Sequence, residues 1–253
     1  MKNKINAAIA ELRKFFSSSQ LSTIDPGEEI AALKRELKLL ETQLGEADSE
    51  RMELEKLLAD FEHRYSMELG DILLEILSLR KRLFQVDDPK YREAEKDEKH
   101  YREKVASDKN QQKPELADNE KQELKKKFRM ATLLCHPDKV NEKNKVAAQE
   151  IFIRLKNAYE MNNLKQVEEI LNNLGKGNFF QSNSETVLEK EQLMDEIDKL
   201  RRRIETIKKE IRSIKNSSAY KSLIVIDDWD EYFRKRKAIL EAELEEIKKQ
   251  IKG

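Results

Sequence analysis

His136, Pro137 and Asp138 stand together in "LLCHPDKVNE" (133–142), in a chain with three histidines and four prolines. An imidazole and a carboxylate so close could bind a metal, trade protons, or make directional contacts to a protein. A metal site needs more donors. His63 and His100 are far away in sequence, so no metal is expected here. No nucleophile–base pair or carboxylate pair stands out in a pocket-forming context, so the chain is not expected to be an enzyme. Cys135 adjoins the triplet and reads as a small buried thiol. The glycines of "LGKG" (174–177) lack the spacing of a phosphate loop. Asp227, Asp228, Asp230 and Glu231 lack the calcium-loop pattern and read as helix caps, so no cofactor is expected. The plainest reading of the triplet is a helix stop, because proline after a helix needs no function.

Two helices must position the triplet. "ELKKKFRMATLLC" (123–135) carries Leu124, Phe128, Ala131, Leu134 and Cys135 on one side. Lys125, Lys126, Lys127 and Arg129 crowd the remaining surface. After the loop, "VAAQEIFIRLKNAYEMNN" carries Ala148, Ile151, Phe152, Leu155, Ala158 and Tyr159 at helical spacing. A loop of about ten residues between them predicts antiparallel neighbours. The basic run could touch phosphates. Acidic and basic residues balance at 50 each, however, and no global field draws nucleic acid.

"FRMATLLCHPDK" followed by "FIRLKNAYE" resembles helices II and III of a J-domain, the Hsp70-activating module of DnaJ-type co-chaperones. Phe128 and Arg129 fall at the family's Tyr-Arg, and Leu133 at its Leu three before the histidine. Phe152, Leu155, Ala158 and Tyr159 fall at its Phe-x-x-Ile-x-x-Ala-Tyr. Cys135 stands where an aromatic is usual, and the family's helix I signature is absent from 87–119. Either 90–106 supplies a diverged helix I or another part of the chain covers that face. The layout also resembles bacterial J-domain proteins with coiled coils on both sides.

The resemblance implies an Hsp70 as partner, docked through helix II and the loop, with its ATP hydrolysis stimulated. Asp138 would meet a partner arginine, and His136 would contact the partner or brace the loop. Pro137 would rigidify the turn. Lys125, Lys126, Lys127, Arg129 and Lys139 would complete the docking surface, steering onto an acidic groove. Leu124, Phe128, Ala131, Phe152, Leu155, Ala158 and Tyr159 would form the core of the unit.

The flanks are written for helices. Asp, Glu, Lys and Arg make up 40% of the 253 residues and aromatics 6%, with six glycines. An all-α, elongated chain is expected, with coiled-coil helices around a small globular unit. Residues 1–24 read as an amphipathic helix (Ile5, Ile9, Leu12, Phe16) and a linker. That helix would pack on protein, or lie on a membrane surface, which is the lesser expectation. Residues 25–86 form a long helix opened by Asp25 and Pro26, with a seam of Ile30, Leu33, Leu37, Leu40 and Leu44. The seam weakens at Ala47 and Arg51. Beyond it the stripe of Ile72, Leu73, Ile76, Leu77, Leu79 and Leu83 is wide enough for more than one neighbour.

Residues 87–117 are a charged linker or diverged helix. Residues 118–178 are the J-like unit, with Asp118 as candidate cap. Residues 187–253 hold C-terminal coiled-coil helices, with a faultless heptad from Leu193 to Ile214. Those last helices could fold back as an antiparallel hairpin. The coiled coils could join copies into a homo-oligomer, hold a client, or pair within one chain. A lone cysteine and no apolar run of about 18 residues suggest a cytoplasmic protein. The competing readings are a structural scaffold with a degenerate J-like hairpin, and a membrane-peripheral organiser.

Overall fold

The computed structural model describes residues 25–252 apart from 87, 112 and 177–179. The expected N-terminal amphipathic helix and linker therefore lie outside the described residues. Everything described is organised on one helix, α1 (Pro26–Arg82), whose 57 residues make a spine about 85 Å long. Pro26 opens it at a position where a missing N–H costs nothing, and Arg80, Lys81 and Arg82 close it where cations suit the helix dipole. Among the described residues all extended structure amounts to one isolated antiparallel bridge, Val140 to Ser182.

α2 (Pro89–Asn110) starts on Asp88, whose carboxylate accepts from the Lys90 N–H at 2.8 Å. It runs back along the C-terminal half of α1, so the charged segment is a helix. Val105 is its buried anchor and sits against Gly70, where an added Cβ would come within 2.9 Å of Val105 Cγ2. Glu98 lies buried between Lys81 and Arg102. Three further helices make the small central unit: α3 (Asp118–Cys135), α4 (Glu142–Glu160) and α5 (Leu164–Gly175). A four-residue turn, α6 (Asn183–Thr186), leads to α7 (Lys190–Asn216), α8 (Ser218–Leu223) and α9 (Trp229–Lys252).

The two C-terminal helices do not form the hairpin expected for them. Both run parallel to α1, one after the other. Lys190, Arg201 and Lys215 of α7 pair in ascending order with Glu29, Glu36 and Glu50. Arg64 then pairs with Asp230, and Arg80 with Glu243 of α9. The reason is the length of α1, which offers each helix a separate apolar stretch. Leu37, Leu40, Leu44 and Ala47 pack with Leu193, Ile197, Leu200, Ile204, Ile207 and Ile211. Leu69 and Ile76 pack with Phe233, Leu240, Leu244 and Ile247. Each seam thus finds its partner inside the chain. The wide stripe of α1 is also explained, because α2 and α9 share it.

A cluster of aromatic rings locks the start of α9. Phe61 lies 5.3 Å from both Trp229 and Phe233, edge-on to the first. Asp228 caps the helix by accepting from the Glu231 N–H at 3.1 Å.

Candidate functional site

The central unit is built on two antiparallel helices and a turn. α3 begins at Asp118, one residue past Ala117, whose N–H donates to the Glu120 carboxylate at 2.8 Å. Leu124, Phe128, Ala131, Leu155, Ala158 and Tyr159 are buried in one core, and Phe152 is partly buried against it. Phe128 and Tyr159 stack, with ring centroids 3.9 Å apart and planes within 12°. α5 closes the third side through Val167, Ile170 and Leu174. Met52 of α1 enters the same core. The face left open by the absent helix I signature is therefore covered by α1, while α2 packs on α1 instead. Asn162, at a positive φ of 55°, turns α4 into α5. Its amide donates to the Pro114 carbonyl at 2.9 Å and its side-chain oxygen accepts from Lys56 at 2.6 Å.

α3 stops at Cys135 for a local reason. A residue before proline is pushed out of the helical region, and His136 accordingly has φ −64° and ψ 123°. Pro137 to Lys139 then form one 3₁₀ turn, closed by the Lys139 N–H to the His136 carbonyl at 3.1 Å. His136 Nδ1 accepts from the Asp138 N–H at 3.2 Å. Asn141 caps α4 by accepting from the Asn144 N–H at 3.1 Å. The helices are joined by residues 136–141, a shorter link than the ten expected, because the Asn141 cap starts α4 at Glu142.

His136 is 2% exposed. Its ring meets Phe152 edge-on at 5.1 Å. Nε2 faces Asp48 Oδ2 of α1 at 3.4 Å, too poorly aligned for a formed hydrogen bond. Asp48 is itself buried. Burial alone would raise its pKa, but the His136 ring and the Arg51 guanidinium outweigh that and hold the carboxyl below its ordinary value. Arg51 Nη2 reaches Asp48 Oδ1 at 2.6 Å and extends to Glu55 and Glu210.

Pro137 is buried. Asp138 Oδ2 lies 3.4 Å from Arg203 Nε of α7. Lys139 turns inward to donate to the Leu133 carbonyl, capping α3, and burial lowers its pKa. Cys135 is wholly buried and its thiol is pushed up to about 12 by desolvation. A cavity of about 320 Å³ lies beside Pro137 and Asp138, between the turn and α7.

The basic residues of α3 divide by face. Lys125 and Arg129 both bind Glu53 of α1. Lys127 binds Glu123 and Glu168 within the unit. Lys126 points outward in line with the exposed Met130 and Leu134. Asp48, Glu53 and Arg203 are neighbours of the turn and of α3 that sequence reasoning missed. One signal was present: the α1 seam weakens at 45–52, where small and polar residues let another body approach. Gly45 marks that approach, since an added Cβ would come within 2.6 Å of Leu133 Cδ2.

Residues 108–169, which span the turn and both flanking helices, match the family model of the DnaJ domain. No curated protein and no solved structure matches the chain.

Proposed function

Since the match over residues 108–169 makes this chain a J-domain protein, with the co-chaperone class of function that follows, we propose that it docks on an Hsp70 through α3 and the His136–Lys139 turn and stimulates its ATP hydrolysis. The supporting observation is a His-Pro-Asp turn held between two antiparallel helices by its own hydrogen bonds. Such a turn performs no chemistry. It acts by binding one conformation of a partner better than another, which shifts the partner's equilibrium. Asp138 supplies the directional, charged acceptor. His136 braces it by fixing its N–H, and Pro137 lowers the entropy lost on docking. Lys126 on the outer face of α3 gives the encounter its charge.

Single-turnover ATP hydrolysis by an Hsp70 tests this, with the wild-type chain, His136→Gln and Asp138→Asn. Stimulation that both variants lose is the expected result. No stimulation by the wild type across salt and concentration would defeat the reading.

The burial of His136 and Pro137 favours a second reading, in which the J-like hairpin is a structural joint of a scaffold. In that case His136→Gln would lower thermal stability and change no ATPase rate.

A further inference from the structure

We infer that the chain inhibits itself: the 182–187 segment and α7, braced on α1, form a clasp over the His-Pro-Asp turn that an Hsp70 must displace. The inference rests on the docking reading above and concerns how that same surface is regulated.

The unit is held from three sides. From α1, Asp48 faces His136, Glu53 takes both Lys125 and Arg129, and Gly45 seats Leu133. Between the unit and α7, Ser182 bridges to Val140. Ser184 fastens that segment to the buried Glu41 of α1 through its N–H at 2.9 Å and its hydroxyl at 2.7 Å. From α7, Arg203 pairs with Asp138. A partner cation needs the carboxylate that Arg203 holds, so inner and outer contacts are mutually exclusive. An Hsp70 then meets a surface competent only in the fraction of molecules whose clasp is open. Its apparent affinity falls by that fraction.

Two features make the clasp releasable rather than a permanent core. The contact of α7 with α1 is a continuous apolar seam, whereas α7 meets the turn through the polar Arg203–Asp138 pair. The Asp138–Arg203 pair is 34% and 42% exposed, and ion pairs in that setting are weak. Among the described residues His136 Nε2 and Ser49 Oγ are buried without a hydrogen-bond partner. The exposed row of Lys126, Met130 and Leu134 stays available while the turn is covered, and can receive a first encounter.

The test uses the full chain with Arg203→Glu, which sets a carboxylate against Asp138, and Arg203→Lys, which keeps the charge. Two quantities are read: single-turnover ATP hydrolysis by an Hsp70, and amide hydrogen exchange over 136–140 without it. Arg203→Glu is expected to quicken exchange across the turn and lower the half-maximal concentration on the order of three- to tenfold. Arg203→Lys is expected to stay near wild type in both. Exchange and concentration dependence unchanged in Arg203→Glu, with stimulation still lost in His136→Gln, would overturn the clasp and leave docking standing. Faster exchange with no stimulation by any variant would overturn the docking reading, and self-inhibition with it.

Discussion

Asp48 shows how much one side chain can carry where two bodies of a protein meet. It receives Arg51 from its own helix and faces His136 across the joint. Replacing it with Asn removes a charge that Arg51 partly solvates, at a cost of about 1–3 kcal/mol. The pH dependence follows from its lowered pKa. A carboxyl whose folded pKa is depressed contributes stability above its unfolded value, near 3.8, and loses it as pH falls through the lower folded value. The gap in melting temperature between wild type and Asp48→Asn is therefore expected at pH 7, and to close below about pH 3.8. Calorimetry at the two ends checks it. Cys135 makes a second residue-scale case. Its thiol, buried and raised to about 12, is expected to resist alkylation at pH 8 in the native chain. It should react at once in denaturant, as mass spectrometry would record.

At the scale of elements, α3 and α4 were legible because every core position recurs at helical spacing and the stop is written as a residue before proline. Phe128 sits at the centre of that pattern, and Phe128→Ala is expected to cost about 3–5 kcal/mol in chemical denaturation. The heptad from Leu193 to Ile211 was equally legible as a buried face. Its partner was not. A stripe of Leu and Ile specifies burial, and nothing in it says whether the cover is another chain, the next helix, or a helix some 160 residues earlier. The hairpin expectation failed for that reason. The segment 90–110 looked solvated because its mean composition is charged. Only one narrow face, including Val105 and Glu98, is buried. The joint around Asp48 was least visible, because small and polar residues in a seam read locally as weakness. They become a docking surface only when Gly45 and Leu133 are brought together.

Among the described residues the long apolar seams are buried within the chain. Its 57-residue spine receives α7, α9, α2 and the J-domain, each on a separate stretch or side. Sedimentation is therefore expected to show a monomer of 29.8 kDa rather than a coiled-coil oligomer. Charge reversal along the α7 interface should act on that closed form. Glu36→Arg is expected to loosen α7, and the added Arg201→Glu to restore it, as melting temperatures would show by about 0.5–1 kcal/mol. Among the described residues no helix is long and apolar enough to cross a membrane.

The parallel course of α7 and α9 has a consequence for how the molecule comes into being. Four of the pairs along the spine join residues 163 to 166 positions apart, nearly the same offset from α7 to α9. As the chain leaves the ribosome, α1 emerges well before the helices that cover its leucines. The J-domain between them, built from contacts closer in sequence, can assemble while the spine is still bare. A nascent chain of this protein would present an uncovered apolar helix beside an unclasped His-Pro-Asp turn, and both would be withdrawn once α7 and α9 have emerged.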